Sequence, residues 1–444
     1  MNEILSPSQQ AVVDYFPHFL MSGDRELTIS GFAGSGKTFL VQYLVDISDS
    51  MQKFCNALDD ETPYRKMFFT ATTNKAAGVL QNMLGQETST IHSLLGLKVK
   101  NNYKTGAQEL VPTDKEENLT NSIVFIDEAS MINRELLSII RERAQKWTNT
   151  KLVYIGDKYQ LPPVMEDVCP VFDDGPNTLT LTEIQRQVRG HPIIQLSAQY
   201  RACLDNHELE WPPIIGDGNH IIHYEDKMEY FDVIRNAYTR GHGRDDLKIL
   251  AWSNPRVREY NNWIRRLEGR PVHYQPGELV ITNKPLFLDK VIVAQTDSIH
   301  RIDNVWSATQ QGVQGHLISL EGTGGDFFQP WDWTEADKLA KQLAADARNT
   351  RNWAPYFAIK EQWADLRPIH ASTVHKAQGS TYREVFVDLN NIGRNNHWRE
   401  VARLVYVAIT RASERVHIYG QLQERYNRGP VIDLMEPFKN VNCL

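Results

Sequence analysis

The sequence predicts an α/β protein built on two parallel sheets, and three observations lead there. Apolar strand-like runs followed by helical patterns recur along the chain, the element order that parallel sheets require. The runs fall into two groups: "KMFFTATT", "SIVFIDEAS" and "KLVYIGD", then "LKILAWSN", "REVFVDL" and "RVHIYG". A chain of 444 residues is also too long for one core. Its 41% hydrophobic and 23% charged residues are those of an ordinary soluble globular protein.

Bulk chemistry excludes several classes. A formal charge of −7 offers no hint of a polyanion partner, although a basic channel can sit on an acidic body. Cys55, Cys169, Cys203 and Cys443 are scattered, so neither a disulfide framework nor a zinc site is expected. "MNEILSPSQQ" has no basic segment followed by an apolar core, and no apolar run reaches membrane-spanning length. A cytoplasmic protein with no membrane partner is expected.

The first element is the most specific. "RELTIS" alternates as a strand, and "KTFLVQYLVDI" carries apolar residues at 40, 41, 44, 45 and 47, a helical stripe. Between them "GFAGSGKTFL" (31–40) fits G-x-x-x-x-G-K-[ST]. Glycines let successive N–H groups curl toward phosphate oxygens at a helix N-terminus. Lys37 is placed to reach β- and γ-phosphates, and the Thr38 hydroxyl to ligate Mg2+. The cofactors expected are therefore ATP and Mg2+.

Hydrolysis needs a metal holder, a group that orients water, and positive charge for the transition state. "SIVFIDEAS" delivers Asp127 and Glu128 to the carboxyl end of a buried strand, one for Mg2+ and one for water. "YIGDKYQLPPV" places Gln160 at another strand end, able to sense the γ-phosphate. Arg186 in "LTEIQRQ" and Arg411 in "YVAITRA" supply positive charge from opposite halves of the chain.

Two insertions interrupt this plan. Residues 96–112 read as a β-hairpin with Asn101, Asn102 and Gly106 near its tip. Residues 273–367 open with β-like pieces ("GELVIT", "KVIVAQT", "GHLISLEG") that suggest a small barrel. A helix follows, with Thr334 and Asp337 in a capping-box pattern. Five tryptophans (306, 331, 333, 353 and 363) lie in this insertion, where packing of a small core is the expected role.

The ordered set GFAGSGKT, TATTNKAA, TSTIHSLLG, FIDEAS, IGDKYQLPPV, LTEIQR, STVHKAQGST and YVAITRA resembles the superfamily 1 DNA helicases from about Gln9 to Gly420. "GDKYQLPPV" and "STVHKAQGST" are similar to the RecD/Pif1-like group, which moves 5′ to 3′, whereas "TNKAA" follows the UvrD pattern. The compact layout is most similar to the small T4-type phage helicases of the Dda kind, so a phage origin and a host cytoplasm are implied. The resemblance implies two RecA-like P-loop NTPase motor domains, at 1–95 with 113–190 and at 191–272 with 368–444. The hairpin 96–112 becomes a pin, and 273–367 an SH3-like barrel with helices that braces it.

The family's roles carry over by position. Gln9 falls where the adenine edge is read; Gly34, Ser35, Gly36, Lys37 and Thr38 cradle phosphate, and Gln378 and Gly379 line the cleft. Arg186 and Arg411 clamp the γ-phosphate. Thr72, Asn74, Thr90 and His92 match strand-contacting positions of the first domain, and Trp252, Asn254, Thr373, His375 and Lys376 those of the second. Tyr103 stands alone as an aromatic near the hairpin tip, where a duplex would be split. The partners implied are single-stranded and forked duplex DNA and a single-strand-binding protein, engaged by a monomer. Two rivals stay open: a translocase on DNA or RNA that displaces proteins without productive unwinding, and a non-catalytic nucleotide-gated recombination subunit.

Overall fold

Apolar strand cores such as Ile123–Ile126, too short and too dry to stand alone, assemble into sheets covered on both faces. The computed structural model describes residues 5–58, 66–105, 108–113, 118–163, 166–173, 177–183, 191–205, 211–239, 246–289 and 291–426. In the first half, six parallel strands lie in the order Thr88–Thr90, Lys66–Ala71, Thr120–Asp127, Thr148–Gly156, Glu26–Gly31, Thr178–Leu181. Helices Pro7–Met21 and Lys37–Leu58 cover one face, where Val12, Phe16, Leu40 and Leu44 meet Ile29 and Phe125. Helix Arg134–Lys146 covers the other, with Leu136, Leu137 and Ile140 against Val124, Ile126 and Tyr154. Parallel sheets need both covers because every strand is dry on both faces. Gly31, Ala71, Asp127 and Gly156 all end strands on one rim.

The second half repeats the plan with five parallel strands, Ala371–Thr373, Leu247–Ala251, Tyr382–Asp388, Ala412–Tyr419 and Ile221–Tyr224. Helices Lys227–Thr239 and Asn254–Leu267 pack one face. Helix Trp398–Thr410 packs the other and is buried at every residue from Leu404 to Thr410. A helix dry all round must be enclosed, and here the enclosing wall includes Tyr159 and Leu161 from the first half.

The insertion is antiparallel, in the order Asp326–Pro330, Val313–Leu320, Ile299–Gln310, Leu279–Thr282, Leu366–Pro368. Its two edges meet: Ala364 N–H donates to the Phe328 carbonyl at 2.7 Å, and Leu366 N–H to Gln329 Oε1 at 2.8 Å. At its entrance the buried Arg265 guanidinium grips Glu278 through two bonds of 3.0 and 2.9 Å. Ile299–Gln310 is the longest strand of the insertion, yet its mostly exposed residues carry no alternation that the sequence reading could seize.

Two expectations for the insertion need correction. Helix Trp333–Thr350 is capped by Asp332, whose Oδ1 accepts the Thr334 N–H at 2.7 Å. The Thr334/Asp337 pattern therefore lies inside the helix rather than at its cap. Of the five tryptophans only Trp363 is core, 5.0 Å from the Phe328 ring. Trp333 and Trp353 are half-buried, and Trp306 and Trp331 are 48% and 41% exposed, Trp331 donating its indole N–H to His316 at 3.0 Å.

The hairpin pairs Leu97–Asn101 with Gln108–Pro112. Asn102 Oδ1 accepts from the N–H groups of Lys104 and Thr105 at 3.0 and 3.2 Å, a side-chain-closed turn; Gly106 lies outside the described residues. The tip rests on the helical part of the insertion. Trp353 N–H donates to the Tyr103 carbonyl at 2.9 Å, and the Tyr103 and Phe357 rings meet edge to face at 5.4 Å.

Candidate active site

The loop after strand Glu26–Gly31 turns on two glycines in the left-handed region, Gly34 (φ 81°) and Gly36 (φ 75°), where a Cβ would strain the backbone. Lys37 then opens its helix and bends back over the loop, donating to the carbonyls of Gly31 at 2.8 Å and Phe32 at 3.1 Å. Ser35 is fully buried and its hydroxyl has no protein partner. Thr38 follows at the first turn.

Asp127 and Glu128 arrive beside this loop. The Asp127 Oδ1 accepts the Glu128 N–H at 2.9 Å, and Glu128 itself is held at φ 51°. Such a conformation persists only where the surroundings enforce it. Here Thr72 helps, its hydroxyl donating to the Glu128 carbonyl at 3.2 Å. Burial, and then the charge of Asp127, push the Glu128 carboxyl up to about 7, while Lys37 and Arg411 pull it back. Burial also raises Asp127, against its bond to the Glu128 N–H and the charge of Lys37.

The second half closes the site from above. Gly379 (φ 73°) comes so near that a Cβ there would lie 3.5 Å from Glu128 Oε1. Arg411 is 4% exposed and turned inward, its Nη1 on the Ser380 carbonyl at 3.1 Å and its Nε on the Val407 carbonyl at 3.2 Å. Gln160 is buried between the anchors Tyr159 and Leu161. Its Oε1, the Gln378 Nε2, the Glu128 Oε2 and the Ser35 hydroxyl are all buried without a protein partner. Buried polar atoms are nearly always bonded, so orphans from both halves around one loop fit a polar ligand such as a triphosphate. Among the described residues no group of three or more His, Cys, Asp or Glu could hold a metal ion. Mg2+ held by Thr38 and Asp127 would thus share its remaining ligands with phosphate and water.

Several expected residues have other duties. Gln9 is buried, donates to the Ser35 carbonyl at 3.0 Å and accepts from the Ser6 N–H at 2.9 Å. In this conformation its amide braces the phosphate loop, with one N–H and one carbonyl lone pair left over for an adenine edge; the exposed Gln10 bonds to Asp14. Arg186 lies outside the described residues. Thr90 and Thr373 both cap four-residue helices, accepting from Ser93 and Lys376 N–H. His92 and His375 occupy matching second positions of those helices, one in each half.

Asn74 bonds to Gln295 at 3.0 Å and Lys376 to Asp297 at 3.0 Å, so one turn of the insertion reaches both halves. Trp252 is half-buried against the second core. Asn254 is exposed and accepts from Arg367 at 2.7 Å. Lys75, which the sequence reading passed over inside "TNKAA", reaches across to the Ser380 hydroxyl. Burial lowers its pKa, and Asp297 opposes that shift.

Residues 4–211 match a family model described as an AAA domain, and residues 368–419 one described as a UvrD-like helicase C-terminal domain. The chain is 30% identical to the ATP-dependent DNA helicase Pif1 of Bdellovibrio bacteriovorus, over 94% of this chain and 88% of that protein. It belongs to the Pif1/RecD-like family of superfamily 1 helicases. The ATP-dependent DNA helicase Dda of Enterobacteria phage T4 is 25% identical over 87% of this chain and 92% of that protein. A structure of two Pif1 helicases at forked DNA is similar at a TM-score of 0.49 and 16% identity, covering 95% of this chain and 93% of that one. In this Pif1/RecD-like chain no described helix is long and apolar enough to cross a membrane.

Proposed function

We propose that the protein is an ATP-dependent DNA helicase that moves 5′ to 3′ along one strand and separates duplex ahead of it. The observation that carries this reading is the cleft itself. Lys37, Asp127, Glu128 and Gln160 from one sheet face Gln378, Gly379 and Arg411 from the other, with buried polar atoms from both sides left unpartnered. A triphosphate bound there would be gripped from both halves, so its cleavage would release one from the other.

Each residue has a task in that cycle. The N–H groups of Gly34, Ser35 and Gly36, together with Lys37, hold the phosphates once Lys37 swings from its own loop carbonyls and the Ser35 N–H leaves the Phe32 carbonyl. Thr38 and Asp127 would hold Mg2+, which supplies charge neutralisation on phosphate oxygens. Glu128, ionised, orients and deprotonates the attacking water, and Gln160 senses the γ-phosphate. Arg411, joined by Arg186, stabilises the transferring phosphoryl group, a contribution of about 10³–10⁵ in turnover for such arginines.

The domains proposed are two RecA-like motors, 1–95 with 113–190 and 191–272 with 368–444. The insertion 273–367 is an SH3-like barrel with helices, a reading supported by its meeting sheet edges. The strand would cross the rim past Thr72, Asn74, Thr90, His92, Trp252, Asn254, Thr373, His375 and Lys376. Asn74 and Lys376 would have to release Gln295 and Asp297 to take phosphates. The hairpin acts as the pin, with Tyr103 as wedge and Trp353 and Phe357 as its brace. Opening each base-pair step costs about 1.4 kcal/mol, the load that the contacts of the tip with Trp353 and Phe357 would help to bear. The enzyme works as a monomer in the cytoplasm, alongside a single-strand-binding protein.

Forked duplexes with either a 5′ or a 3′ single-stranded tail test the proposal. ATP-dependent unwinding of the 5′-tailed fork alone is expected. Unwinding of the 3′-tailed fork alone overturns the polarity. ATP hydrolysis stimulated by DNA with no unwinding of either fork leaves a translocase, and no stimulation leaves a nucleotide-gated subunit.

A further inference from the structure

One oxygen atom joins three parts of the nucleotide site. The Tyr406 hydroxyl donates to Asp157 Oδ2 at 2.7 Å and accepts the Ala33 N–H at 3.2 Å. Ala33 belongs to the phosphate loop, and Asp157 begins the turn that presents Gln160, whose N–H donates to the Asp157 carbonyl at 3.1 Å. The other carboxyl oxygen of Asp157 accepts the Tyr159 N–H at 3.0 Å. Tyr406 itself stands on helix Trp398–Thr410, and Arg411 is the residue that caps this helix. The partners are 373 and 249 residues apart in sequence, so these bonds cross between the halves of the molecule.

The surroundings pack this contact closely in the closed cleft. Tyr406 and Asp157 are both 0% exposed. The Arg201 guanidinium lies 3.8 Å above the Phe32 ring, next to Ala33 in the phosphate loop. Tyr159 packs against both Phe32 and Tyr406, at 5.7 and 6.3 Å between ring centres, and its hydroxyl is tied to Asp205 at 2.6 Å. Burial and the neighbouring Asp157 push the Tyr406 phenol well above its ordinary range, which keeps it protonated and a donor. Its donor and one acceptor site are thus both engaged.

We infer that Tyr406 is a positioning residue for ATP turnover, its hydroxyl locking the phosphate loop and the Gln160 turn to the helix that carries Arg411. The inference rests on the cleft's being an ATPase site. In the closed cleft the shared oxygen sets the register of Arg411 against the γ-phosphate, and its bonds part when cleavage releases the halves. Packing alone would need only the ring.

Tyr406→Phe separates these roles, since it keeps the ring and deletes the oxygen. In the full chain, kcat for ATP hydrolysis at saturating single-stranded DNA is expected to fall about tenfold or more, the value of a buried hydrogen bond to a charged group. KM for ATP should change less than about threefold, because the phosphate contacts remain. Asp157→Asn should show the same split, and the double variant should fall no further than the worse single one. Parental kcat in Tyr406→Phe, or losses that multiply in the double variant, would overturn the inference. An unmutated protein that fails to hydrolyse ATP removes the ATPase reading itself, whereas an active parent with an unaffected Tyr406→Phe removes only this joint. Should Tyr406→Phe lose its cooperative melting, Asp157→Asn carries the same comparison alone.

Discussion

Replacing Glu128 by Gln should make the protein more stable and less active, and the stability gain should depend on pH. Burial and the adjacent Asp127 raise the Glu128 carboxyl from an ordinary 4.5 to about 7. Below pH 4.5 this group is protonated in folded and unfolded chains alike and makes no difference between them. Between 4.5 and 7 the unfolded chain releases a proton that the folded chain keeps, so stability falls as pH rises. Above 7 the folded chain carries the full cost of an ionised buried carboxylate. The gap between those two values corresponds to about 3 kcal/mol. A glutamine has no such cost. Urea unfolding without nucleotide at pH 5, 6, 7 and 8 should therefore show the variant's advantage widening toward on the order of 3 kcal/mol. At pH 8 the same variant should bind ATP yet hydrolyse it about 10²–10⁴ times more slowly. A stability difference that stays flat across the pH series would refute the burial argument, and parental turnover would refute the assigned role.

Other substitutions address the remaining parts. Lys37→Ala should abolish turnover, because it removes the ammonium that the phosphate loop holds ready for the β- and γ-phosphates; a steady-state ATPase measurement checks it. Arg411→Ala should reduce DNA-stimulated hydrolysis by about 10³–10⁵ while single-stranded DNA binding, followed by anisotropy, persists. Tyr103→Ala removes the ring that meets Phe357, a contact worth about 0.5–1.5 kcal/mol. It should slow fork unwinding while leaving DNA-stimulated ATPase unchanged, and equal losses in both would detach the hairpin from strand separation.

Much of the fold could be read from the chain because its signals are local. The glycine loop, the run that ends in Asp127 and the alternation of strands and helices each sit within about ten residues of sequence. The three- and four-residue edge strands, such as Thr88–Thr90 and Ala371–Thr373, were not readable. Their pairing comes from neighbours in the sheet and not from any pattern of their own. Gln9 shows a different limit. "SPSQ" is a capping-box pattern, and its geometry engages the amide oxygen with Ser6 before any ligand is considered. Thr90 and Thr373 are alike, since a threonine ahead of a short helix is as much a cap as a phosphate contact. Tyr406 lay inside the quoted "YVAITRA", but a partner 373 residues away leaves no trace in local periodicity.

The turn around Gln160 is continuous in chain with the first sheet, while its flanking side chains, Tyr159 and Leu161, are solvated by the second core. Cutting the protein between its halves would therefore strip a greasy pair of residues bare and let the intervening amide wander. Either half expressed alone should be sticky and catalytically blind, so the smallest working unit of this motor is the pair.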